Sequence, residues 1–353
     1  MERLGSGQGV GVLFNGRAKR VTPRVVKAMT RALPQALVLV SDDFDQAQRH
    51  VETLVVEGVT CVLVGGGDGS VTLLLNQLRQ LGKGAFPAVG ALRLGTGNAW
   101  ANHTGAGGYF ALVKRLPVLP RPLPTHRFDL VEIEGRLCPF GGVGWDARVL
   151  NDYARNLDKR SSQLFGSRLA TRVHKGLGGY LYSVARLSIP AELAGYRRDG
   201  PPRCELVNLG PEAYLVDGRG RPLRLATGGG LQSLYDGPVN VFIAATIPEW
   251  GFGFRVAPFA RAMPGHLNVR IYDRHVLEAV ANLPRLWRGA HPMAGAHDFF
   301  VTHARVRFSR PMPFQVGGDA GGTRDSLELK VAEQKVELVD WRAATALAGL
   351  EAR

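Results

Sequence analysis

The sequence predicts a two-domain α/β protein, with a parallel-sheet domain first and a mostly antiparallel β domain behind it. A chain of 353 residues is long for one compact core and suits two domains. Apolar strand runs alternate with helical repeats as far as Arg115, which is typical of a parallel sheet covered by helices. Short β-rich runs punctuated by Gly and Pro follow, and these favour antiparallel pairing.

The elements of the first domain come from short apolar runs and the helical spacing between them. The predicted strands are Val10–Phe14, Ala36–Val40, Cys61–Val64 and Ala88–Leu92. Helices are expected over Pro23–Leu33, from Ser41 to about Val56, and over Val71–Leu81. Each strand is therefore followed by a turn at its carboxyl end, and those turns share one edge of a parallel sheet.

The character of the chain changes after Arg115. Prolines at 117, 120, 122 and 124 predict a stiff linker. We therefore expect an α/β domain over residues 1–125 and a β-rich domain over 126–331. Residues 150–187 are predicted to be a basic helical insertion in the second domain, and the C-terminal segment 332–353 is expected to pack back on the first.

Composition limits the partners. The net charge of +14 and the pI of about 10.2 favour anionic partners, although an arginine-heavy proteome would also produce them. No block of Lys and Arg is interleaved with aromatic residues, so nucleic-acid binding is not favoured. Cys61, Cys138 and Cys204 are too dispersed for a zinc site or a disulfide framework, which fits a reducing compartment. The sequence shows no secretory signal, and no apolar run approaches the ~20 residues of a membrane span.

The segment Gly65–Gly69 lies between a predicted strand and a predicted helix. Glycines there let several backbone N–H groups face outward at a helix N-terminus, where the helix dipole favours an anion. Asp68 would repel phosphate, but it could hold Mg²⁺ or a ribose hydroxyl. A tight turn without a ligand is the alternative for one isolated glycine loop.

A second glycine element, Gly95–Asn98, follows the next strand and repeats the arrangement. Asn15-Gly16-Arg17 after the first strand and Ser41 after the second end on the same edge. Ligands of open parallel sheets bind at such an edge. Together these turns predict a phosphate or nucleotide site.

These residues resemble the diacylglycerol kinase catalytic domain family, which includes bacterial lipid kinases, ceramide kinases and sphingosine kinases. The Gly-Gly-Asp-Gly-Ser of Gly66–Ser70 matches the family's glycine loop, and Arg93–Ala99 resembles its Pro-x-Gly-Thr-x-Asn-Asp segment. Gly142–Asp146 looks like its Gly-x-Gly-x-Asp segment. The glycine loop alone is shared with NAD kinases and phosphofructokinases, whereas the combination with Gly-Thr-Gly-Asn is more specific.

The resemblance implies an ATP-binding α/β domain of the NAD kinase and diacylglycerol kinase type, a β-sandwich behind it, and catalysis in the cleft between them with ATP and Mg²⁺. The positions that it implies for nucleotide binding are Asn15, Gly16, Arg17, Lys19, Ser41, Gly66, Gly67, Asp68, Gly69, Ser70, Gly95, Thr96 and Asn98. Asp68 is also implied as a catalytic residue and as a ligand of the Mg²⁺ that accompanies ATP.

The resemblance further implies that a late Asp-Gly-Glu motif activates the lipid hydroxyl. Here the motif is altered, because Gly317 replaces its Asp and Asp319 replaces its Glu. Asp319 is therefore the expected general base, and a turn-capping role is the alternative. Pro264 replaces a family aspartate that helps to hold a structural metal, so that metal site is expected to be absent.

The leading prediction is a lipid kinase acting on diacylglycerol or a ceramide- or sphingoid-type lipid. We expect it in the cytoplasm, associated peripherally with the inner face of an anionic membrane through the basic insertion, for which a solvated helix face is the alternative. Trp250, Phe252 and Phe254 are interpreted as a flexible apolar lip for an acyl chain, with a core strand as the alternative. An NAD kinase-like enzyme with a soluble acceptor is one alternative. A catalytically silent regulator that binds nucleotide and lipid is another. The acceptor lipid and the oligomeric state are not predicted.

Overall fold

The computed structural model describes residues 9–82, 86–95, 97–149, 189–225, 231–250 and 253–350. Two compact units divide the chain. The first comprises Met1–Asp129, Gly251–Gly253 and Glu333–Arg353, and the second comprises Leu130–Trp250 and Phe254–Ala332. No helix within these ranges combines the length and the hydropathy needed to cross a bilayer.

A six-stranded sheet forms the first unit. Its strands are β1 (Val10–Asn15), β2 (Leu37–Ser41), β3 (Cys61–Gly66), β4 (Ala88–Arg93), β5 (Thr125–Phe128) and β18 (Val336–Val339). Their order is β2-β1-β3-β4-β18-β5, with β5 antiparallel to β18 and the other pairings parallel. The predicted parallel-sheet domain is therefore confirmed.

The helices of the first unit are α1 (Pro23–Ala32), α2 (Phe44–Val56), α3 (Asp68–Gln80), α4 (Ala99–His103), α5 (Tyr109–Arg115) and α9 (Trp341–Leu347). Local chemistry fixes where α1 and α2 begin. The Thr22 hydroxyl accepts a hydrogen bond from Val25 N, with Pro23 in the first turn, and Asp43 accepts from Gln46 N at 2.7 Å. Both helices thus leave the sheet edge at defined residues.

The proline-rich stretch, which its composition predicts to be a stiff linker, is part of the first unit. Leu116, Leu119 and Leu123, each directly before a proline, are buried, and Leu116 begins a short 3-10 helix that ends at Val118. Burial of these leucines stabilises the stretch as part of the first unit. The chain then continues into β5 of the same sheet, beyond the boundary expected at residue 125.

The second unit is built on a 12-stranded antiparallel sheet, which confirms the mostly antiparallel second domain. The strands are β6 (Val131–Ile133), β7 (Arg136–Cys138), β8 (Phe140–Gly144), β9 (Arg203–Asn208), β10 (Ala213–Val216), β11 (Pro222–Arg224), β12 (Gln232–Pro238), β13 (Val241–Ala245), β14 (Leu267–Tyr272), β15 (Ala296–Val301), β16 (His303–Val316) and β17 (Asp319–Val331). The described helices are α6 (Ile189–Asp199), α7 (Val276–Ala281) and α8 (Leu283–Arg288).

The long strand β16 organises this unit. Its first half pairs with β9 and its second half with β8, while β17 follows it along most of its length. Phe314 and Val316 from this strand join the apolar core with residues of the neighbouring strands, such as Phe242 and Val143. The turn between β16 and β17 therefore projects from a firmly packed strand.

One buried ion pair interrupts the apolar interior of the second unit. Arg270 on β14 and Asp298 on β15 are direct cross-strand neighbours, and both are almost fully buried. Arg270 Nε and Nη2 donate to the two carboxylate oxygens of Asp298 at 2.8 and 2.7 Å. The bidentate geometry satisfies both charges within the sheet.

Candidate functional site

The glycine loop joins β3 to α3 with no intervening residues beyond Gly67. Gly67 is the N-cap of α3, so the N–H groups of the first helical turn lie at the carboxyl edge of the sheet. A Cβ on Gly66 would overlap the Ser70 side chain and lie 3.2 Å from Asn15 Cβ. Glycine is needed here because neighbouring side chains already fill the space.

The second glycine element is closed by the side chain of Asn98. Asn98 has a φ of +56°, in the left-handed region. Its Oδ1 accepts from Gly95 N at 2.8 Å, and its Nδ2 donates to Gly95 O at 2.7 Å. These two bonds fold the segment into a tight loop immediately before α4. Thr96, which was predicted to contact nucleotide, lies outside the described residues.

The two glycine elements touch each other through their backbones. A Cβ on Gly95 would overlap Gly67 Cα and would lie 2.9 Å from the Gly66 carbonyl oxygen. Asp68 adds a direct link, because its Oδ1 accepts a hydrogen bond from Trp100 N at 3.1 Å. The carboxylate thus lies against the first turn of α4, where backbone N–H groups favour negative charge.

The first two strands end beside this pair of loops. Asn15 Nδ2 donates to the Ser70 hydroxyl at 3.2 Å, which connects the end of β1 to α3. Gly16 N donates to Ser41 O at 2.8 Å, which connects it to the end of β2. The side chains of Arg17 and Lys19 are exposed at the same edge. The structure therefore brings the predicted nucleotide residues together, apart from Thr96.

His50 is a polar neighbour of this edge that the sequence did not indicate. The Ser41 hydroxyl and His50 Nδ1 lie 3.0 Å apart. Burial, with a further contribution from Arg49, lowers the pKa of His50. A signal was available, because His50 lies between Ala47 and Leu54 on the buried face of α2, where an isolated polar residue needs a partner.

The predicted base, Asp319, begins β17 directly after the two-residue turn Gly317–Gly318. Val316 pairs with Asp319 across the turn, and both glycines have positive φ, +59° and +92°. The Asp319 side chain is exposed, yet nearby protein atoms displace enough water to raise the pKa of its carboxyl, an effect that Arg136 opposes. Its role as base stays a prediction.

The Gly-x-Gly-x-Asp segment is explained by geometry in the second unit. Gly142 lies on β8 opposite Gln315, and Gly144 has a φ of +120° where the strand gives way to the helical residues 145–149. Gln315 Nε2 donates to Asp146 Oδ2 at 3.3 Å. Burial raises the pKa of Asp146 to about 6, against the lowering effect of the hydrogen bonds from Ala147 N and Gln315. Sequence reasoning missed Gln315 entirely.

Two features predicted to contact lipid are only partly described. The basic insertion over residues 150–187 and Phe252 lie outside the described residues. Trp250 stacks on Phe140 with ring centroids 5.1 Å apart, and Phe254 packs against Trp287 at 4.2 Å. The two aromatic residues are thus anchored by separate partners.

Comparison with known proteins finds a family model that is similar to the first part of the chain. The model of the diacylglycerol kinase catalytic domain matches residues 10–122, which contain the glycine loop and the second glycine element. Over residues 10–122 the chain is similar to the diacylglycerol kinase catalytic domain family. The match begins at β1 and ends just before β5, so it includes both glycine elements and the ends of β1 and β2.

Curated relatives match a part of the chain of similar length. The "Probable lipid kinase YegS" of Salmonella heidelberg is 39% identical over 104 residues, which are 30% of this chain and 34% of the relative. The protein of the same name from Salmonella arizonae is 39% identical over 71 residues, 20% of this chain and 24% of the relative. The chain thus spans a quarter to a third of the length of these relatives.

Solved structures resemble the whole chain in fold. "A putative diacylglycerol kinase" from Bacillus anthracis covers 95% of this chain and 98% of its own, with a TM-score of 0.61 and 12% identity. A second diacylglycerol kinase structure from the same organism has a TM-score of 0.59 and 10% identity. At this identity the likeness concerns the fold, and it extends beyond residues 10–122 to the antiparallel unit.

Proposed function

We propose that this protein is an ATP-dependent lipid kinase, which transfers the γ-phosphate of ATP to a hydroxyl group of a membrane lipid. The observation that carries the proposal is the backbone contact between the glycine loop and Gly95 at the carboxyl edge of the parallel sheet. Two glycine elements in contact leave a nucleotide free to approach backbone N–H groups closely, which a lone strand–helix turn does not require.

The phosphates of ATP would lie at the N-terminus of α3. Backbone N–H groups and the helix dipole attract negative charge there. The exposed side chains of Arg17 and Lys19 lie at the same edge and would pair with phosphate oxygens. Asn15 and Ser70 hold each other through a hydrogen bond, which keeps the end of β1 against the loop.

Mg²⁺ would arrive with the nucleotide. This ion keeps several waters and usually takes one or two carboxylates together with substrate phosphates. Among the described residues no group of three His, Cys, Asp or Glu side chains could hold a metal ion. Asp68 is the carboxylate nearest the loop, and its Oδ1 accepts from Trp100 N. When bound, the ion would neutralise charge on the transferring phosphoryl group.

On the acceptor side, Asp319 would take the proton of the lipid hydroxyl. Phosphoryl transfer passes through a loose transition state, so positioning and electrostatics matter more than base strength. A carboxyl pKa raised above its usual range moves Asp319 closer to the optimum of a general base. The names of the Salmonella relatives and the net charge of +14 support a lipid at an anionic membrane as the acceptor.

One observation favours a second candidate, a nucleotide- and lipid-binding protein without turnover. Gly317 stands where the family motif has an Asp, so the second unit retains one acidic residue of the motif. The two candidates make opposite predictions for phosphate transfer.

The test supplies the purified protein with radiolabelled ATP, Mg²⁺ and anionic vesicles that contain diacylglycerol, ceramide, sphingosine or phosphatidylglycerol. We expect one of these lipids to become labelled. ATP binding without any labelled lipid would refute the kinase proposal and support the binding protein. Label on NAD in a parallel reaction, with none on lipid, would indicate a soluble acceptor instead.

A further inference from the structure

We propose that Gln315 is a positioning residue that ties the carboxyl group of Asp146 to the hairpin turn that carries Asp319. The inference rests on the proposed function, because it concerns the carboxylate expected to accept the proton of the lipid hydroxyl. It adds a residue that lies outside the family's glycine and acidic motifs.

The Gln315 side chain makes two hydrogen bonds, one from each end of its amide. Gln315 is fully buried. Its Oε1 accepts from Gly318 N at 3.0 Å, and its Nε2 donates to Asp146 Oδ2 at 3.3 Å. The Gly318 N–H can only donate, so the carbonyl end of the amide must face the turn and the NH₂ end must face Asp146. The orientation of this amide is thus fixed by its partners.

The glycines of the Gly-x-Gly-x-Asp segment leave space for the Gln315 amide and the Asp146 carboxyl group. Gly142 is the register partner of Gln315 on β8. A Cβ on Gly142 would lie 3.0 Å from Asp146 Oδ2 and 3.2 Å from Gln315 Nε2. Gly144 adopts a backbone conformation that L side chains rarely take, and the chain turns there toward Asp146. The two glycines therefore allow the amide and the carboxyl group to meet.

The Gly317–Gly318 turn is held by two backbone N–H groups. Gly317 N donates to Phe140 O at 2.8 Å, and Gly318 N donates to Gln315. Both amides of the two-residue turn are therefore attached to the strands beneath it. Asp319 is the next residue, so its backbone position is defined by these two bonds.

Loss of the Gln315 amide would remove hydrogen bonds from both Asp146 and Gly318. Within the described part of the chain, Oδ1 of Asp146 is buried without a hydrogen-bond partner. Gln315 Nε2 is the side-chain donor to its other oxygen. Without that amide, the carboxyl group would lose this donor, and Gly318 N–H would lose its acceptor. A buried carboxyl group that loses a hydrogen-bond donor favours rearrangement of the structure around it, whereas the exposed Gly318 amide would bond to water instead.

The experiment compares Gln315→Met and Gln315→Glu with Met312→Leu, a conservative change at a buried residue of the same strand. Gln315→Met keeps the side-chain length but removes both hydrogen bonds. Gln315→Glu keeps an acceptor for Gly318 N–H and places a carboxylate against Asp146. The readouts are hydrogen exchange of the Gly318 amide, the pKa of Asp146 by carboxyl NMR, and kcat and KM for ATP in the vesicle assay.

For Gln315→Met we expect faster exchange at Gly318 and a kcat lower by roughly 10- to 100-fold, the effect of a displacement of about 1 Å. The KM for ATP should not change. For Gln315→Glu we expect Gly318 to stay protected while the pKa of Asp146 rises, because like charges disfavour ionisation. Its kcat should then recover toward the wild-type value as the pH falls.

The inference would be overturned if Gln315→Met matched Met312→Leu in Gly318 exchange, or if exchange rose while kcat stayed unchanged. Failure of the proposed function is distinguishable, because a wild-type protein that labels no lipid still reports Gly318 exchange and the Asp146 pKa. In that case protected exchange in Gln315→Met would overturn the link by itself.

Discussion

Gly95→Ala tests whether the contact between the two glycine elements supports nucleotide binding. The new Cβ would lie 2.9 Å from the Gly66 carbonyl oxygen and 3.0 Å from Gly67 N, and it would overlap Gly67 Cα. All three atoms belong to the backbone, so no side-chain rotation relieves the overlap. The loops must move apart, and Asp68 and Trp100 with them.

The size of the effect follows from that geometry. Overpacking of this kind costs about 1–3 kcal/mol. For a unit of this size each kcal/mol lowers Tm by about 2–4 °C, so a drop of roughly 2–12 °C is expected. A separation of about 1 Å also misplaces the phosphates, for which a loss of about 10²-fold in kcat/KM is a reasonable scale.

The assay measures thermal unfolding and ATP binding by calorimetry, followed by lipid labelling. Gly107→Ala is the matched control, because a Cβ there would meet nothing within 4 Å and Gly107 has no positive φ. If Gly95→Ala unfolded and bound ATP like Gly107→Ala, the loop contact would not support the site and the reasoning would be refuted.

Three further predictions concern the second unit. Asp319→Asn should lower kcat by about 10²- to 10⁴-fold if Asp319 is the general base. Asp325→Asn, a change at an exposed residue of the same strand, should leave kcat unchanged. Equal kcat values for the two variants would exclude Asp319 as the base. The raised pKa of Asp146, about 6 against 3.8, means that its contribution to stability is fully present below about pH 4 and is lost as the pH rises through about 6. In denaturant titrations, the free energy of unfolding of Asp146→Asn should therefore rise relative to that of wild type by up to about 3 kcal/mol between pH 4 and 7. A difference between the two proteins that stays constant with pH would contradict the raised pKa. Asp298→Asn should lower the free energy of unfolding by about 3–5 kcal/mol, because Arg270 would be left buried without its carboxylate partner. The double change Arg270→Met and Asp298→Leu should restore most of that stability. A loss below about 1 kcal/mol in Asp298→Asn would show that the ion pair is dispensable.

Much of the first unit could be predicted because its signals are local. Strand β3 and helix α3 are set by an apolar run, a glycine break and a helical repeat within twenty or so consecutive residues, on the order of a βα unit. The parallel order then follows, since βα repeats require crossovers. That is why the turns after β1 to β4 could be assigned to one edge before any contact was known.

Other elements depended on partners far away in the chain. Strand β18 is only Val336–Val339, and so short an apolar run is identified as a strand only by its pairing between β4 and β5. The prolines from 117 to 124 predicted a linker, because composition does not show that the leucines beside them are buried. Both outcomes depend on long-range packing, which local propensity does not contain.

By itself, the sequence determined the glycine loop at Gly65–Ser70, the second glycine element, and their placement at neighbouring strand ends. Those features follow from spacing, from helix N-terminal chemistry and from the topology of parallel strands. The tertiary structure alone decided that Gly95 lies against Gly67, that Asp68 accepts from Trp100 N, and that Gln315 joins Asp146 to the turn before Asp319. Hydrogen bonds between residues 32 or 169 positions apart require the folded chain to bring them within about 3 Å, and no spacing along the sequence encodes that.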